Sequence, residues 1–244
     1  MRIEIENLHK SFGPLVVFDG VNLNIEPGEI AVIMGRSGQG KSVMLKHLVG
    51  LEKPDSGRIL IDGRDITGLS EKELYPVRMR FGMIFQNGGM LQSLNVEENV
   101  ALPLVEVKGC DRDAIMHKVH EKLAMVGLAG KEKQSVTTLS GGQQKRVAIA
   151  RALVQDADCL LFDEPTAGLD PPMSQTVDEV IMEMNEQTRA TMIVVTHDLV
   201  SAFQIAHRMY VLDKGRIVAS GTPDEIRGND NPVVREFLKR GTQI

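Results

Sequence analysis

The sequence predicts an α/β fold: a largely parallel sheet, an N-terminal antiparallel β layer and an inserted α-helical subdomain. Three observations predict it. Ile30–Met34, Cys159–Phe162 and Met192–Val195 are apolar at every position, as expected of strands covered on both faces. Ile3, Ile5, Val21, Leu23 and Ile25 instead alternate with polar residues, the pattern of half-buried strands. From about 87 to 157 no such run occurs, and Ile115, Val119, Leu123 and Val126 recur at helical spacing.

Each element has its own signal. A helix is expected from Val43 to Val49, directly after the first apolar run, and another from Gln144 to Leu153. From Pro172 to Thr188, the apolar residues Met173, Val177, Val180, Ile181 and Met184 fall on one helix face and are expected to pack in the core. Asn231-Pro232 precedes a short amphipathic stretch, Val233 to Leu238. The expected division is a core over 1–86 and 158–222, a helical insert over 87–157, and a short helical tail over 223–244.

Composition narrows the function. The chain has 244 residues, 42% apolar and 25% charged, the balance of a globular protein. A net charge of −5 disfavours general binding to phosphate backbones, so no nucleic-acid partner is expected. Cys110 and Cys159 form neither a disulfide framework nor a metal spacing, which suits a reducing compartment. The N-terminal stretch is interrupted by charge and is not read as a signal peptide. No apolar run approaches the roughly 20 residues of a membrane span, so any membrane role is expected to pass through a partner.

The strongest chemical signal is Gly35-Arg36-Ser37-Gly38-Gln39-Gly40-Lys41-Ser42, which fits G-x-x-x-x-G-K-[ST] between a strand and a helix. Glycines let backbone N–H groups turn around phosphates, and the helix N-terminus adds its positive dipole end. Lys41 is expected to reach the terminal phosphates, and the Ser42 hydroxyl suits a Mg²⁺ ligand.

Two more apolar strands end in chemistry. Cys159–Phe162 delivers Asp163 and Glu164 at the end where ligands bind in an open α/β sheet. Asp163 is expected to hold Mg²⁺, and Glu164 to accept a proton from an attacking water. Met192–Thr196 delivers His197, expected to contact the γ-phosphate. Gln86 closes a short apolar segment and can bind Mg²⁺ and water. A second anion-binding helix start lies at Leu139-Ser140-Gly141-Gly142-Gln143, where Ser140 can cap the helix and the glycines expose N–H groups.

Together these segments resemble the ABC transporter ATPase family over roughly residues 1 to 222. Gly35–Ser42 matches its Walker A stretch, Gln86 its Q-loop, Leu139–Gln143 its signature and Cys159–Glu164 its Walker B. Gly168-Leu169-Asp170 matches its D-loop and His197 its switch histidine. The resemblance implies a P-loop, RecA-like core that binds ATP and Mg²⁺, with Val43 and Asp170 also at the nucleotide. It also implies an ATP-dependent head-to-tail homodimer, each ATP lying between the Walker A of one chain and the signature of the other. The base would stack on an aromatic matched by Phe12. A strand-end core aromatic is the other reading of that residue.

The family's setting implies membrane permease subunits as partners and a peripheral place on the cytoplasmic face of the inner (plasma) membrane. Within it, Lys41–Gly50, Phe85–Asn95 and Asn231–Leu238 look like the ATPases of Mla/Mce-type phospholipid transport systems, whose lipid is handled by partner subunits. An importer for amino acids such as methionine is the alternative, although such relatives often carry an added C-terminal domain. A non-transport ABC ATPase fits less well, since neither a long coiled-coil insert nor a second cassette is present. The uncharged stretch Asn87–Leu94 is the expected permease-docking surface, with Met90, Leu91 and Leu94 either exposed or packed inside the helical insert.

Overall fold

The computed structural model of the chain describes residues 1–86, 88–105 and 111–241, so Asn87 and Cys110 lie outside the described residues. Two sheets organise them. The first is antiparallel, in the order β2-β1-β4-β5, from β1 (Ile3–Phe12), β2 (Leu15–Ile25), β4 (Ser56–Ile61) and β5 (Arg64–Asp65). The second contains β3 (Ile30–Met34), β6 (Phe81–Ile84), β7 (Cys159–Asp163), β8 (Thr191–Thr196), β9 (Arg208–Asp213) and β10 (Arg216–Gly221). Its order is β10-β9-β3-β8-β7-β6, parallel throughout except for the β9-β10 pair.

The three apolar runs of the sequence are β3, β7 and β8, side by side or one strand apart in the centre of the parallel sheet. Their residues serve two cores. Ile30, Val32 and Met34 face one cluster, and Ala31 and Ile33 face the other. The first cluster takes in helices α3 (Val96–Val105), α4 (Arg112–Met125), α5 (Gly141–Leu153) and α6 (Pro171–Thr188). The second takes in α1 (Lys41–Leu48), α2 (Glu71–Arg78) and the antiparallel layer. Because strand faces alternate with period 2, continuous apolar character is what a sheet covered on both sides requires.

Helices α7 (Leu199–Ile205), α8 (Pro223–Arg227) and α9 (Pro232–Gly241) complete the chain. Val234 of α9 is buried in the first cluster, with Phe237 and Leu238 packed against it. In α6, Val177, Val180, Ile181 and Met184 are buried as their spacing predicts, but Met173 is exposed. It sits on the first turn of α6, near Gly142 at the start of α5. Strand β9, buried from Met209 to Leu212, is a further parallel strand that the sequence reading did not identify.

Register places the site. Met34 pairs with Thr196, Asp163 with Val195 and Ile84 with Phe162, so these parallel strands end at one edge of the sheet. The residues just beyond those ends are Gly35, His197, Glu164 and, two past Ile84, Gln86. A parallel sheet thereby gathers four distant segments at one crevice.

Candidate active site

The loop between β3 and α1 turns tightly, with the N–H of Gln39 donating to the Arg36 carbonyl at 3.3 Å. Gly40 occupies the N-cap of α1 with φ 93°, a left-handed conformation suited to glycine, and no side chain caps the helix. A Cβ there would lie 2.5 Å from Cγ1 of Val17, so any other residue would push the loop off β2. Lys41 is buried, and its Nζ donates to the carbonyls of Gly35 at 2.8 Å and Arg36 at 3.3 Å. The same ammonium lies 3.2 Å from Oε1 of Glu164. A buried charge of this kind requires partners, and all three supply them.

Glu164 follows β7 at φ 50°, in the left-handed region that a non-glycine residue seldom adopts. Its N–H still donates to the Val195 carbonyl at 2.9 Å, so the strand pairing holds while the chain turns. Strain of this sort concentrates at functional sites. Glu164 is 9% exposed, and its carboxylate is held by His197, whose Nδ1 lies 2.8 Å from Oε2 and whose N–H donates to it at 3.2 Å. One residue earlier, Oδ1 of Asp163 accepts a hydrogen bond from Oγ of Ser42 at 2.7 Å. These two hard oxygen donors fit Mg²⁺, which takes one or two carboxylates and otherwise uses phosphates and water.

Phe12, Ser37, Gly38, Gly40, Lys41, Ser42, Val43, Gln86, Glu164 and His197 line one cavity of about 390 Å³. The protein thus brings together segments from five parts of the chain. Phe12 is 43% exposed, which rules out the core reading and leaves a ring face available at the cavity. Lys10 sits 4.9 Å from its ring centroid. Gly35 and Asp163 touch this group through Lys41 and Ser42. Gln39 points elsewhere, its Oε1 accepting from the N–H of Lys214 at 2.7 Å. The Arg36 side chain pairs with Glu236 of α9 at 3.0 Å.

The signature residues do not line this cavity. Ser140 caps α5 in a reciprocal box: Gln143 N–H donates to its Oγ at 3.3 Å, and its own N–H donates to Oε1 of Gln143 at 3.1 Å. Gly141 and Gly142 face Leu169 and Met173 of the same chain. Asp170 caps α6, accepting from the N–H of Met173 at 2.9 Å. Within one chain, therefore, two helix starts suited to anions lie apart.

Sequence reading missed the side chains that hold the segment after β6. Asn99, fully buried in α3, donates to the carbonyls of Leu91, Leu94 and Asn95 at 3.0, 3.2 and 2.9 Å. Lys145 and Arg151 of α5 reach the same segment. Their signal in the sequence is cationic side chains, Lys145, Arg146 and Arg151, in a helix that is otherwise apolar after Gln144. Of the expected docking residues, Leu91 is exposed, Leu94 is half-buried, and Met90 packs against the first core cluster.

Comparison with known proteins agrees with this geometry. A family model described as ABC transporter matches residues 18–167, more than half of the chain. The probable ribonucleotide transport ATP-binding protein mkl of Mycobacterium tuberculosis is 44% identical over 97% of this chain and 66% of its own length. The methionine import ATP-binding protein of Rhizobium johnstonii is 45% identical over 90% of this chain and 60% of its own length. The chain thus spans somewhat less than two thirds of these curated relatives. An ATP-binding cassette solved as a dimer, in a post-hydrolysis state bound to ADP and Pi, superposes with a TM-score of 0.81 at 34% identity, covering 91% of this chain and 98% of its own. With the glycine-rich loop, the paired acids and the capped start of α5 all in place, the chain belongs to the ABC transporter family as an ATP-binding cassette.

Proposed function

We propose that this chain hydrolyses ATP at interfaces between two head-to-tail copies and so drives membrane-embedded permease subunits. One observation carries the reading: the Glu164 carboxylate sits with Lys41, His197 and the Ser42–Asp163 pair around a single cavity, while the signature helix start stays outside it.

Each residue then has a task. Backbone N–H groups of the cradle and the Lys41 ammonium bind the polyphosphate, and Phe12 stacks on the base. Ser42, Asp163 and Gln86 would hold Mg²⁺, which would supply neutralisation of phosphate charge. Glu164 accepts the proton of the attacking water, and His197 orients that carboxylate. Ser140 and the N–H groups behind it, offered by the second copy, complete the anion site. ATP turnover by the purified chain with Mg²⁺ tests this, together with its loss in Lys41→Ala. Normal ATP affinity and rate in that variant would overturn the cradle assignment.

The permease is proposed to dock on the segment up to Leu94, where Leu91 and Phe85 are exposed beside Gln86. No helix among the described residues is long and apolar enough to cross a membrane. The proposed location is peripheral, at the cytoplasmic face of the inner membrane, through that partner. Leu91→Asp should release it from membranes with ATP binding intact. For the substrate we propose phospholipid or a related lipid, supported by the likeness of 41–50, 85–95 and 231–238 to phospholipid-transport ATPases. The second reading, methionine import, is favoured by the relative of that name. A deletion strain separates them: altered membrane lipid distribution supports the first, and loss of methionine uptake with lipids unchanged supports the second.

A further inference from the structure

Helix α5 starts at the signature cap and then runs along the segment that follows β6. Its side chains take hold of several separate main-chain pieces. Nε2 of Gln144 donates to the carbonyls of Val136 and Leu139 at 3.1 and 3.2 Å, fixing the approach to the signature. The next residue, Lys145, donates from Nζ to the carbonyl of Gln86. Two turns on, Arg151 donates from its two terminal nitrogens to the carbonyls of Gly88 and Gly89 at 2.6 and 2.7 Å.

The contact is close and partly dry. Lys145 is 7% exposed. Burial pulls its pKa down, and the charges of Asp163 and Glu164 work in the opposite direction. Behind the loop, Gly82 of β6 lies against the end of α5, where a Cβ would come within 2.6 Å of the Ala152 carbonyl. In such a medium, hydrogen bonds from charged donors are strong, and a carbonyl left without its donor is costly.

We propose that Lys145 and Arg151 are positioning residues that clamp the main-chain carbonyls of Gln86, Gly88 and Gly89 to the signature helix. One rigid helix then carries the signature at its N-terminus and grips the Gln86 segment in its middle. Gln86 faces the nucleotide bound by its own chain, whereas the signature faces the nucleotide bound by the second copy. The clamp makes these two move as one body, so that the Mg²⁺-side contact at one site is linked to completion of the other. This rests on the ATPase reading above. It requires an element with a shared position that both sites bias, which α5 supplies.

The test uses the full chain with Lys145→Met, Lys145→Gln, Lys145→Arg and Arg151→Met. Hydrogen exchange of the segment around residues 84–91, followed by mass spectrometry, should speed up in Lys145→Met and Arg151→Met and return towards wild type in Lys145→Arg. In ATP turnover, Lys145→Met should lower kcat by about 10- to 100-fold, the scale of a misplaced catalytic group. It should also raise the Mg²⁺ concentration needed for half-maximal rate while leaving the KM for ATP within about twofold. The double variant should lose less than the two single losses combined, because both cations hold one loop. Unchanged exchange in folded Lys145→Met or Lys145→Gln overturns the clamp, whatever the turnover. Faster exchange with wild-type kcat and Mg²⁺ dependence overturns the linkage to catalysis. The exchange readout needs no activity, so a wild-type chain without turnover would count against the ATPase reading and not against the clamp.

Discussion

Nδ1 of His197 meets Oε2 of Glu164 at 2.8 Å, although 33 positions separate them in the chain. The contact follows from register: Asp163 pairs with Val195, so the residues that follow β7 and β8 emerge side by side. The other oxygen of Glu164 lies 3.2 Å from the Lys41 ammonium. The proposed base is therefore held from both sides by groups that also face the cavity.

Replacing Glu164 with Gln keeps the volume and removes the base. Glu164→Gln should bind Mg-ATP and turn it over about 10²–10⁴-fold more slowly, the usual worth of a positioned general base. Single-turnover measurements in the assembled transporter check this. Wild-type rates would move the base assignment to another group.

Gly40→Ala should damage both stability and binding. Its φ of 93° and the 2.5 Å approach to Val17 leave no room for a methyl group. Strain of about 1–3 kcal/mol is expected, which for a domain of this size lowers Tm by roughly 2–12 °C. Calorimetry and ATP titration should show both losses. A Tm and affinity equal to wild type would mean that the cradle adapts freely.

The separation of Ser140 from the Lys41 cavity predicts ATP-driven association. Glu164→Gln should dimerise with ATP and not with ADP, because only the γ-phosphate gives the closed form differential binding. Ser140→Arg should block closure by filling the phosphate site. Ser140→Ala is the control, since it removes the cap of α5 at a cost of about 1 kcal/mol but leaves that space open. Sedimentation equilibrium in both nucleotides distinguishes these outcomes, and one oligomeric state throughout would contradict the model.

Asp178, on α6, is 2% exposed and donates nothing when ionised; it accepts a 2.6 Å hydrogen bond from Ser201 of α7. Burial pushes its pKa up to about 6, against the opposing effect of the Ser201 bond. A carboxyl whose folded pKa exceeds its unfolded value binds more protons in the fold, so stability falls as pH rises from about 4 to about 6 and stays lower above. Asp178→Asn should remove that loss. Its Tm relative to wild type should be higher at pH 8 than at pH 5, corresponding to a gain of about 1–3 kcal/mol. An equal difference at both pH values would show that Asp178 titrates normally.

Much of the site was legible because its chemistry sits on local signals. A strand, a glycine-rich turn and a helix adjoin one another in 30–48, so Lys41 and Ser42 could be placed from neighbours alone. Asp163, Glu164 and His197 were legible because each ends an apolar run, and runs covered on both faces belong to the middle of a parallel sheet. Met173 illustrates the limit. Its spacing puts it on the apolar face of α6, yet whether that face is covered at the first turn depends on where the neighbouring elements stop.

The sequence alone therefore determined the sheet type, the glycine-rich turn before α1, the acids that end β7 and the family resemblance, since these arise from side-chain period and backbone preferences within short windows. Tertiary structure alone decided strand order, and with it the approach of Glu164 to His197 and of Ser42 to Asp163. It also decided that Phe12 is exposed at the cavity, that the signature lies outside it, and that Lys145 and Arg151 reach across about sixty residues of chain to the carbonyls of Gln86, Gly88 and Gly89. Main-chain carbonyls are the same at every position, so no residue pattern announces which of them a distant cation will find. Only packing, which removes water and leaves each buried polar group in need of a partner, selects those pairs.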